Sequence, residues 1–254
     1  MSLFRFACLA ASLGLGAPAL AQDKRLSDPI AQAMKDEQRR PANIALDADR
    51  KPAKIIKMLG VKPGMRVAEM FGGNRYWSEL LAPVVGARGT VILWQPEQFA
   101  SDEVRAGLSD LHDARPNVKP IYSRMERPNL APRSLDRMLL NLDYHDVYWQ
   151  SAQYGVTRME PQAWLAILYQ AMRPGGEILV VDHRGPEGDT RAIVEATHRI
   201  APSVVRADFE KAGFQLVKQS NLYRTKSDDL SKSVFDPAVR GKTDRFIMKF
   251  RRPK

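Results

Sequence analysis

The stretch Val67-Ala68-Glu69-Met70-Phe71-Gly72-Gly73-Asn74 joins a short apolar run to a glycine pair. An apolar run bounded in this way is typical of a buried strand that ends in a tight turn. The residues from Tyr76 to Val85 then have the composition of a helix, so the chain is predicted to pass from strand to helix across the glycine pair. Outward from this unit, further strands are predicted at Thr90–Trp94, Val118–Tyr122, Leu135–Leu142, Glu177–Asp182, Phe214–Gln219 and Asp244–Phe250.

Helical segments separate most of these strands, and this alternation is typical of a parallel sheet built from strand–helix–strand units. We therefore predict an α/β, Rossmann-like, doubly wound and mostly parallel seven-stranded sheet in one domain, residues 61–254. The last two strands are joined by a loop-rich stretch, which predicts an antiparallel pair at one edge. Residues 22–60 are predicted to form an N-terminal helical extension, in which Asp49 begins a helix and Gly60 ends it.

The first 21 residues read as a cleaved secretory signal peptide. Arg5 is the only charged residue before Asp23, an apolar stretch follows it, and Ala19-Leu20-Ala21 supplies the small residues of a cleavage site. The single cysteine, Cys8, lies inside this segment, so no disulfide or thiol chemistry is expected in the mature chain. The sequence predicts an exported protein, with the periplasm as the expected compartment.

Composition indicates a soluble globular protein rather than a disordered or membrane-embedded one. Of the 254 residues, 44% are hydrophobic and 27% are charged, and the formal net charge is +10. After residue 21 no apolar run is long enough to span a membrane, so no transmembrane span is predicted. The basic residues are scattered in pairs such as Arg39-Arg40 rather than grouped in a block, which argues against a specific nucleic-acid partner.

Polar and titratable residues concentrate where predicted strands end. Glu69 to Tyr76 follows the first strand, Asn141 to Asp146 the fourth, and Asp182 to Gly185 the fifth. Ligands of doubly wound sheets bind beyond the carboxyl ends of the strands, so these three segments are expected to converge on one site.

The glycine-pair stretch resembles the first motif of class I S-adenosylmethionine-dependent methyltransferases, and the chain resembles a family of exported, predicted methyltransferases. The match runs from about residue 40 to the end of the chain. Its further landmarks are Lys62–Met65, Glu79–Pro83, Tyr144–Asp146, Arg173–Gly176, Asp182-His183, His198-Arg199, Ala212–Phe214 and Thr243–Phe246.

The resemblance implies S-adenosyl-L-methionine as cofactor and methyl transfer as the reaction. Glu69 would lie near the ammonium group of the methionine moiety, and Gln95 near the ribose. The sequence departs from the general pattern at Phe71, which replaces a glycine, and after the second strand, where the usual acidic residue is missing. The expected cofactor-binding residues are Glu69, Phe71, Gly72, Gly73, Asn74 and Gln95.

The methyl acceptor is expected beyond the fourth and fifth strands, where His145 and His183 lie. A histidine suits removal of a proton from an acceptor near neutral pH. We expect His145 to act as general base, held by Asp146 or Asp182, with His183 as the competing candidate. The acceptor itself is open, either a small molecule or a surface-borne group, and so is the oligomeric state.

Two other functions remain open at this point. The fold could serve as a ligand-binding module without catalysis, because fold does not fix function. A metal-dependent hydrolase could use His145, Asp146, Asp182, His183 and His198, but no short His-x-x-x-His spacing supports it, and we predict no metal site. The motifs of serine hydrolases, phosphate-binding loops and dinucleotide-binding enzymes are missing from the sequence.

Overall fold

The computed structural model describes residues 28–254, and the predicted signal peptide at residues 1–21 lies outside them. The helices are α1 (Pro29–Met34), α2 (Pro41–Ile44), α3 (Asp47–Arg50), α4 (Pro52–Leu59), α5 (Tyr76–Val85), α6 (Asp102–Ala114), α7 (Pro161–Ala171), α8 (Thr190–Thr197) and α9 (Pro202–Lys211). The strands are β1 (Arg66–Met70), β2 (Thr90–Pro96), β3 (Val118–Ser123), β4 (Leu135–Asn141), β5 (Met172–His183), β6 (Gln215–Ser220) and β7 (Arg245–Arg251).

All seven strands form one sheet in the order β3-β2-β1-β4-β5-β7-β6. Strands β1 to β5 pair in parallel, and β7 lies antiparallel between β5 and the edge strand β6. The predicted α/β, mostly parallel sheet with an antiparallel edge pair is confirmed. The chain order reverses between β1 and β4, so the switch point, where such sheets bind ligands, lies at the carboxyl ends of these two strands.

Helices cover both faces of the sheet, and each face has its own apolar core. Along β1, Ala68 and Met70 point into one core while Val67 points into the other. In β4, Met138, Leu139 and Leu140 are all buried, because a parallel strand covered on both sides needs apolar residues on both sides. This double burial fixes the strand ends, and with them the loops that carry the polar residues.

The N-terminal extension packs against α5 rather than standing apart from the domain. Ile55 and Ile56 of α4 are fully buried, and Gly60 ends α4 in the left-handed conformation with φ of 74°. The expected helix start at Asp49 is wrong: Asp49 lies inside α3, and Lys51, with φ of 43°, separates α3 from α4. Within residues 28–254, no helix is both long and apolar enough to cross a membrane.

Candidate functional site

The glycine turn after β1 is packed closely against β2. Phe71 and Arg75 flank the turn in the left-handed conformation, with φ of 54° and 63°. A Cβ added to Gly72 would lie 2.4 Å from the Leu93 Cγ atom, so only glycine fits there. A Cβ added to Gly73 would lie 2.7 Å from the Gln95 Oε1 atom. The structure therefore brings Gly73 and Gln95, predicted to hold opposite ends of a cofactor, next to each other.

Glu69 is buried beneath the first turn of α5 and supports that helix. Its carboxylate accepts hydrogen bonds from the Ser78 hydroxyl and from the backbone N–H groups of Trp77 and Ser78. Burial raises the pKa of Glu69 to about 7, and these hydrogen bonds only partly oppose the rise. Because its carboxylate binds the start of α5, Glu69 holds the glycine turn in place from below.

The N-terminal extension reaches the outer side of the same turn. Arg40 and Asn43 contact Glu79 of α5, with Arg40 Nε to Glu79 Oε1 at 2.7 Å and Asn43 Nδ2 to Glu79 Oε2 at 2.8 Å. The Arg40 guanidinium also donates to the Asn74 carbonyl, and the Asn74 Oδ1 atom accepts the Tyr76 N–H at 3.0 Å. The extension thus fixes the conformation of Asn74, one of the predicted cofactor-binding residues.

Asp182, at the end of β5, orients the residues that follow β4. It is fully buried, and its carboxylate accepts three hydrogen bonds. His145 donates two of them, from Nδ1 at 2.7 Å and from its backbone N–H at 2.9 Å, and the backbone N–H of His183 donates the third at 2.7 Å. The sequence expectation that Asp182 or Asp146 holds His145 matches this geometry, because Asp146 Oδ1 also lies 3.2 Å from His145 Nε2.

The two histidines have opposite electrostatic environments. Burial disfavours a charged His145 ring, but Asp146 and Asp182 outweigh burial and raise the pKa of His145 to about 9. Burial, together with the neighbouring His145, lowers the pKa of His183 to about 3. Both ring nitrogens of His145 contact carboxylates, whereas His183 Nδ1 contacts the Thr243 hydroxyl at 2.8 Å. The surroundings of His145 therefore favour its charged form, and those of His183 favour its neutral form.

A cavity of about 650 Å³ lies beyond the carboxyl ends of β2, β4 and β5, and three of the predicted catalytic residues line it. His145, Asp146 and His183 form part of its wall, whereas Asp182 lies behind His145. The predicted cofactor-binding residues are not part of this wall and lie on the β1–β2 side of the sheet edge. The other lining residues are Phe99, Leu142, Trp149, Tyr154, His198, Val234 and Phe235.

Part of the cavity wall comes from the connection between β6 and β7, residues 221–244. Arg199, in the turn after α8, forms a bidentate ion pair with Asp228 of this connection, at 2.7 and 3.1 Å, and both side chains are fully buried. The Val234 N–H binds the Thr197 carbonyl at 3.0 Å, which seats Val234 and Phe235 at the cavity. Arg199 therefore holds this connection in the wall of the cavity through Asp228.

Sequence reasoning missed most of the apolar wall of the cavity. The ring centroids of Trp149 and Phe235 lie 5.4 and 4.9 Å from the ring centroid of His198. The three residues are nevertheless far from one another in sequence. No local pattern marks isolated aromatic residues in loops, because their role arises only when distant segments meet. Trp94, near the end of β2, is fully buried and donates its indole N–H to the Ser123 hydroxyl at 2.8 Å.

No protein-family model matches the sequence, and no curated protein matches it. Solved structures match it in three dimensions. A SAM-dependent methyltransferase from Aquifex aeolicus is 17% identical with a TM-score of 0.58, covering 89% of this chain and 98% of its own. The arsenic(III) S-adenosylmethionine methyltransferase of Chlamydomonas reinhardtii is 17% identical with a TM-score of 0.51, covering 77% of this chain and 65% of its own.

A protein with a different activity shares the same architecture. The [4+2]-cyclase SpnF is 14% identical with a TM-score of 0.56, covering 81% of this chain and 82% of its own. At these identities the likeness establishes the fold, and the chemistry has to be argued from the site. The chain adopts the fold of class I S-adenosylmethionine-dependent methyltransferases.

Proposed function

We propose that the protein is an exported methyltransferase that uses S-adenosyl-L-methionine and acts on a small-molecule or surface-borne acceptor. The observation that carries this proposal is the position of the cavity. It lies at the carboxyl edge beside the β1–β4 switch point, with Leu142 from the end of β4 in its wall and His145 oriented by Asp182. Proteins of this architecture bind their ligands at this edge.

The residues around the glycine turn fit the cofactor at two of three expected points. Gly73 carries no Cβ, which leaves room for the Gln95 amide to pack against it, and the Oε1 atom of that amide can accept a hydrogen bond from a ribose hydroxyl. The backbone of Gly73 and Asn74 would hold the methionine end. Glu69 does not fit direct contact, because its carboxylate is buried against α5, and we assign it the support of the turn.

The cofactor supplies a methyl group on a positively charged sulfur, and the protein has to position an acceptor in line with it. The aromatic side chains of Phe99 and Trp149 line the cavity and favour an acceptor with an apolar part. His183 binds Thr243 through Nδ1, which leaves its Nε2 atom to accept a hydrogen bond from the acceptor. We therefore favour His183 over His145 as the residue that orients the acceptor, since burial keeps the His183 ring uncharged and carboxylates contact both nitrogens of His145.

Export is the second part of the proposal and rests on the sequence of residues 1–21. A charged residue, an apolar stretch and small residues before the cleavage point support a signal peptide. If the segment is removed after Ala21, the protein recovered from the periplasmic fraction begins at Gln22. A cytoplasmic protein that retains Met1 would refute export and leave the methyltransferase proposal intact.

Calorimetric titration with S-adenosylmethionine and S-adenosylhomocysteine tests the cofactor. We expect micromolar binding that weakens about tenfold or more in Gln95→Ala, because a hydrogen bond to a ribose hydroxyl is lost in a buried site. Gln215→Ala, which changes an exposed glutamine on β6, is the matched control and should bind as the unchanged protein does. A folded protein that binds neither compound at millimolar concentration would refute the proposal.

A ligand-binding module without catalysis is the second candidate, and the burial of Glu69 favours it. A methyltransferase usually presents this acidic residue to its cofactor, whereas here it faces α5. Transfer of a labelled methyl group to extracts of the cell envelope separates the two. Transfer that is lost in His183→Asn, with cofactor binding retained, supports catalysis, and cofactor binding without transfer to any acceptor supports the module.

A further inference from the structure

Three side chains in the wall of the cavity bring possible metal-binding atoms together. One possible ligand atom from each of His145, Asp146 and His198 lies within 4.8 Å of the other two. Asp146 Oδ1 is 3.2 Å from His145 Nε2 and 3.3 Å from His198 Nδ1. In a tetrahedral zinc site with bonds of about 2.0–2.1 Å, ligand atoms lie about 3.3 Å apart. Two of the three separations therefore already equal the edge of such a tetrahedron.

The aspartate oxygen between the two histidines is buried, and within residues 28–254 no donor, including the two imidazole nitrogens beside it, is aligned to form a hydrogen bond with it. A buried carboxylate oxygen without a donor is unfavourable, and a cation placed between Asp146 and the two imidazoles would satisfy it. The set of two nitrogens and one oxygen is one that zinc binds in catalytic sites, where three protein ligands leave a fourth position open.

His145 is also held in the way that metal-binding histidines are held. Its Nδ1 atom donates to Asp182, which fixes the ring and directs Nε2 toward Asp146 and the cavity. A carboxylate behind the ring is the usual outer partner of a histidine that binds zinc, because it fixes the tautomer and makes the ligand more basic. This support is built into the fold, since Asp182 is fully buried at the end of β5.

His198 completes the set from a distant part of the chain. It follows α8 in the left-handed conformation, with φ of 52°, which is uncommon for a residue other than glycine or asparagine. Its ring contacts Trp149 and Phe235, so that packing holds it over Asp146. The strained backbone is consistent with a side chain whose position matters, because such strain tends to persist at functional sites.

We propose that His145, Asp146 and His198 bind one divalent transition-metal ion, with Zn²⁺ as the best match, and that its open position faces the cavity. A metal there would polarise an oxygen or nitrogen of a ligand bound in the cavity. The site requires no cofactor, so it can exist whether or not the protein transfers methyl groups.

Metal-free protein, prepared with a chelator, can be titrated with Zn²⁺ by calorimetry, and with Co²⁺ while its visible spectrum is recorded. We expect one ion per chain and the intense visible bands of tetrahedral cobalt. His198→Asn removes one ligand but keeps a residue that tolerates the left-handed backbone. It should weaken binding by about a hundredfold, and Asp182→Asn, which removes only the outer partner, by about tenfold to a hundredfold.

His112→Asn is the matched control, because His112 lies on α6 and contacts the Val118 carbonyl, away from the cluster. It should leave zinc binding unchanged. The proposal is overturned if folded protein binds no zinc at millimolar concentration, or if His198→Asn binds zinc as tightly as the unchanged protein. Zinc binding without S-adenosylmethionine binding would uphold the metal site and refute the proposed cofactor, and the opposite pair of results would do the reverse.

Discussion

Replacing Glu69 with glutamine should make the protein less sensitive to pH. Glu69 is 2% exposed, and its pKa is raised to about 7 from a usual value of 4.5. Glutamine has nearly the same shape and cannot ionise. Its side-chain oxygen can still accept hydrogen bonds from the Ser78 hydroxyl and from the N–H groups at the start of α5. The variant therefore removes the charge and keeps the support of the glycine turn.

The size of the effect follows from the difference between the two pKa values. Between pH 4.5 and 7 the folded protein holds a proton on Glu69 that the unfolded chain releases, so the free energy of unfolding falls as pH rises. One pKa unit is worth about 1.36 kcal/mol, so the full loss is about 3 kcal/mol above pH 7. Of this, about 2.5 kcal/mol should appear between pH 5 and pH 8.

Urea unfolding at pH 5 and pH 8, followed by circular dichroism, measures the effect. Every other titratable group is common to both proteins, so its contribution cancels in the difference between variant and unchanged protein. We expect Glu69→Gln to gain about 2.5 kcal/mol of relative stability from pH 5 to pH 8. A relative change near zero, or one of opposite sign, would refute the assignment of Glu69 as a buried carboxyl whose pKa is raised to about 7.

Glu79→Gln is the matched control for this experiment. Glu79 is also 2% exposed and lies on α5, but its carboxylate pairs with the Arg40 guanidinium at 2.7 Å. Removing this charge breaks an ion pair instead of relieving an isolated buried charge. Glu79→Gln should therefore destabilise the protein at pH 8, where Glu69→Gln is most favourable.

Three further predictions concern packing and the walls of the site. Gly72→Ala should destabilise the protein by about 1–3 kcal/mol in urea unfolding, because the added Cβ would clash with Leu93. In a protein that already carries Leu93→Ala, the same Gly72→Ala change should be nearly neutral. Unchanged stability of the single variant Gly72→Ala would contradict this packing. Arg199→Ala should lower the free energy of unfolding by about 3–5 kcal/mol, because it leaves Asp228 charged and unpaired in the interior. A loss below about 1 kcal/mol in the same assay would count against the buried ion pair. Asp182→Asn should lower the free energy of unfolding by about 3 kcal/mol, because the amide N–H₂ group would face N–H groups that now donate hydrogen bonds to the carboxylate. An unchanged melting temperature would argue against this network.

The sequence determined the sheet because the information for strands and helices is local. Apolar runs, Gly60 and the glycine pair lie beside the elements that they begin or end, so their positions could be read one segment at a time. The mostly parallel, doubly wound arrangement also followed, since strands that alternate with helices are typical of a parallel sheet. Polar residues after β4 and β5 were expected to meet, because parallel strands end at the same edge of a sheet.

The partners of these residues follow from the folded chain and not from local sequence. Glu69 was predicted near the ammonium group of the cofactor, and the packing of α5 over β1 places its carboxylate against Ser78. Arg199 pairs with Asp228, and His198 joins His145 and Asp146, across separations that no local pattern records. Strand periodicity specifies which face of the sheet a side chain occupies, whereas contacts between loops depend on how several distant segments pack at once. For this reason the contacts within the site could be identified only in the folded chain.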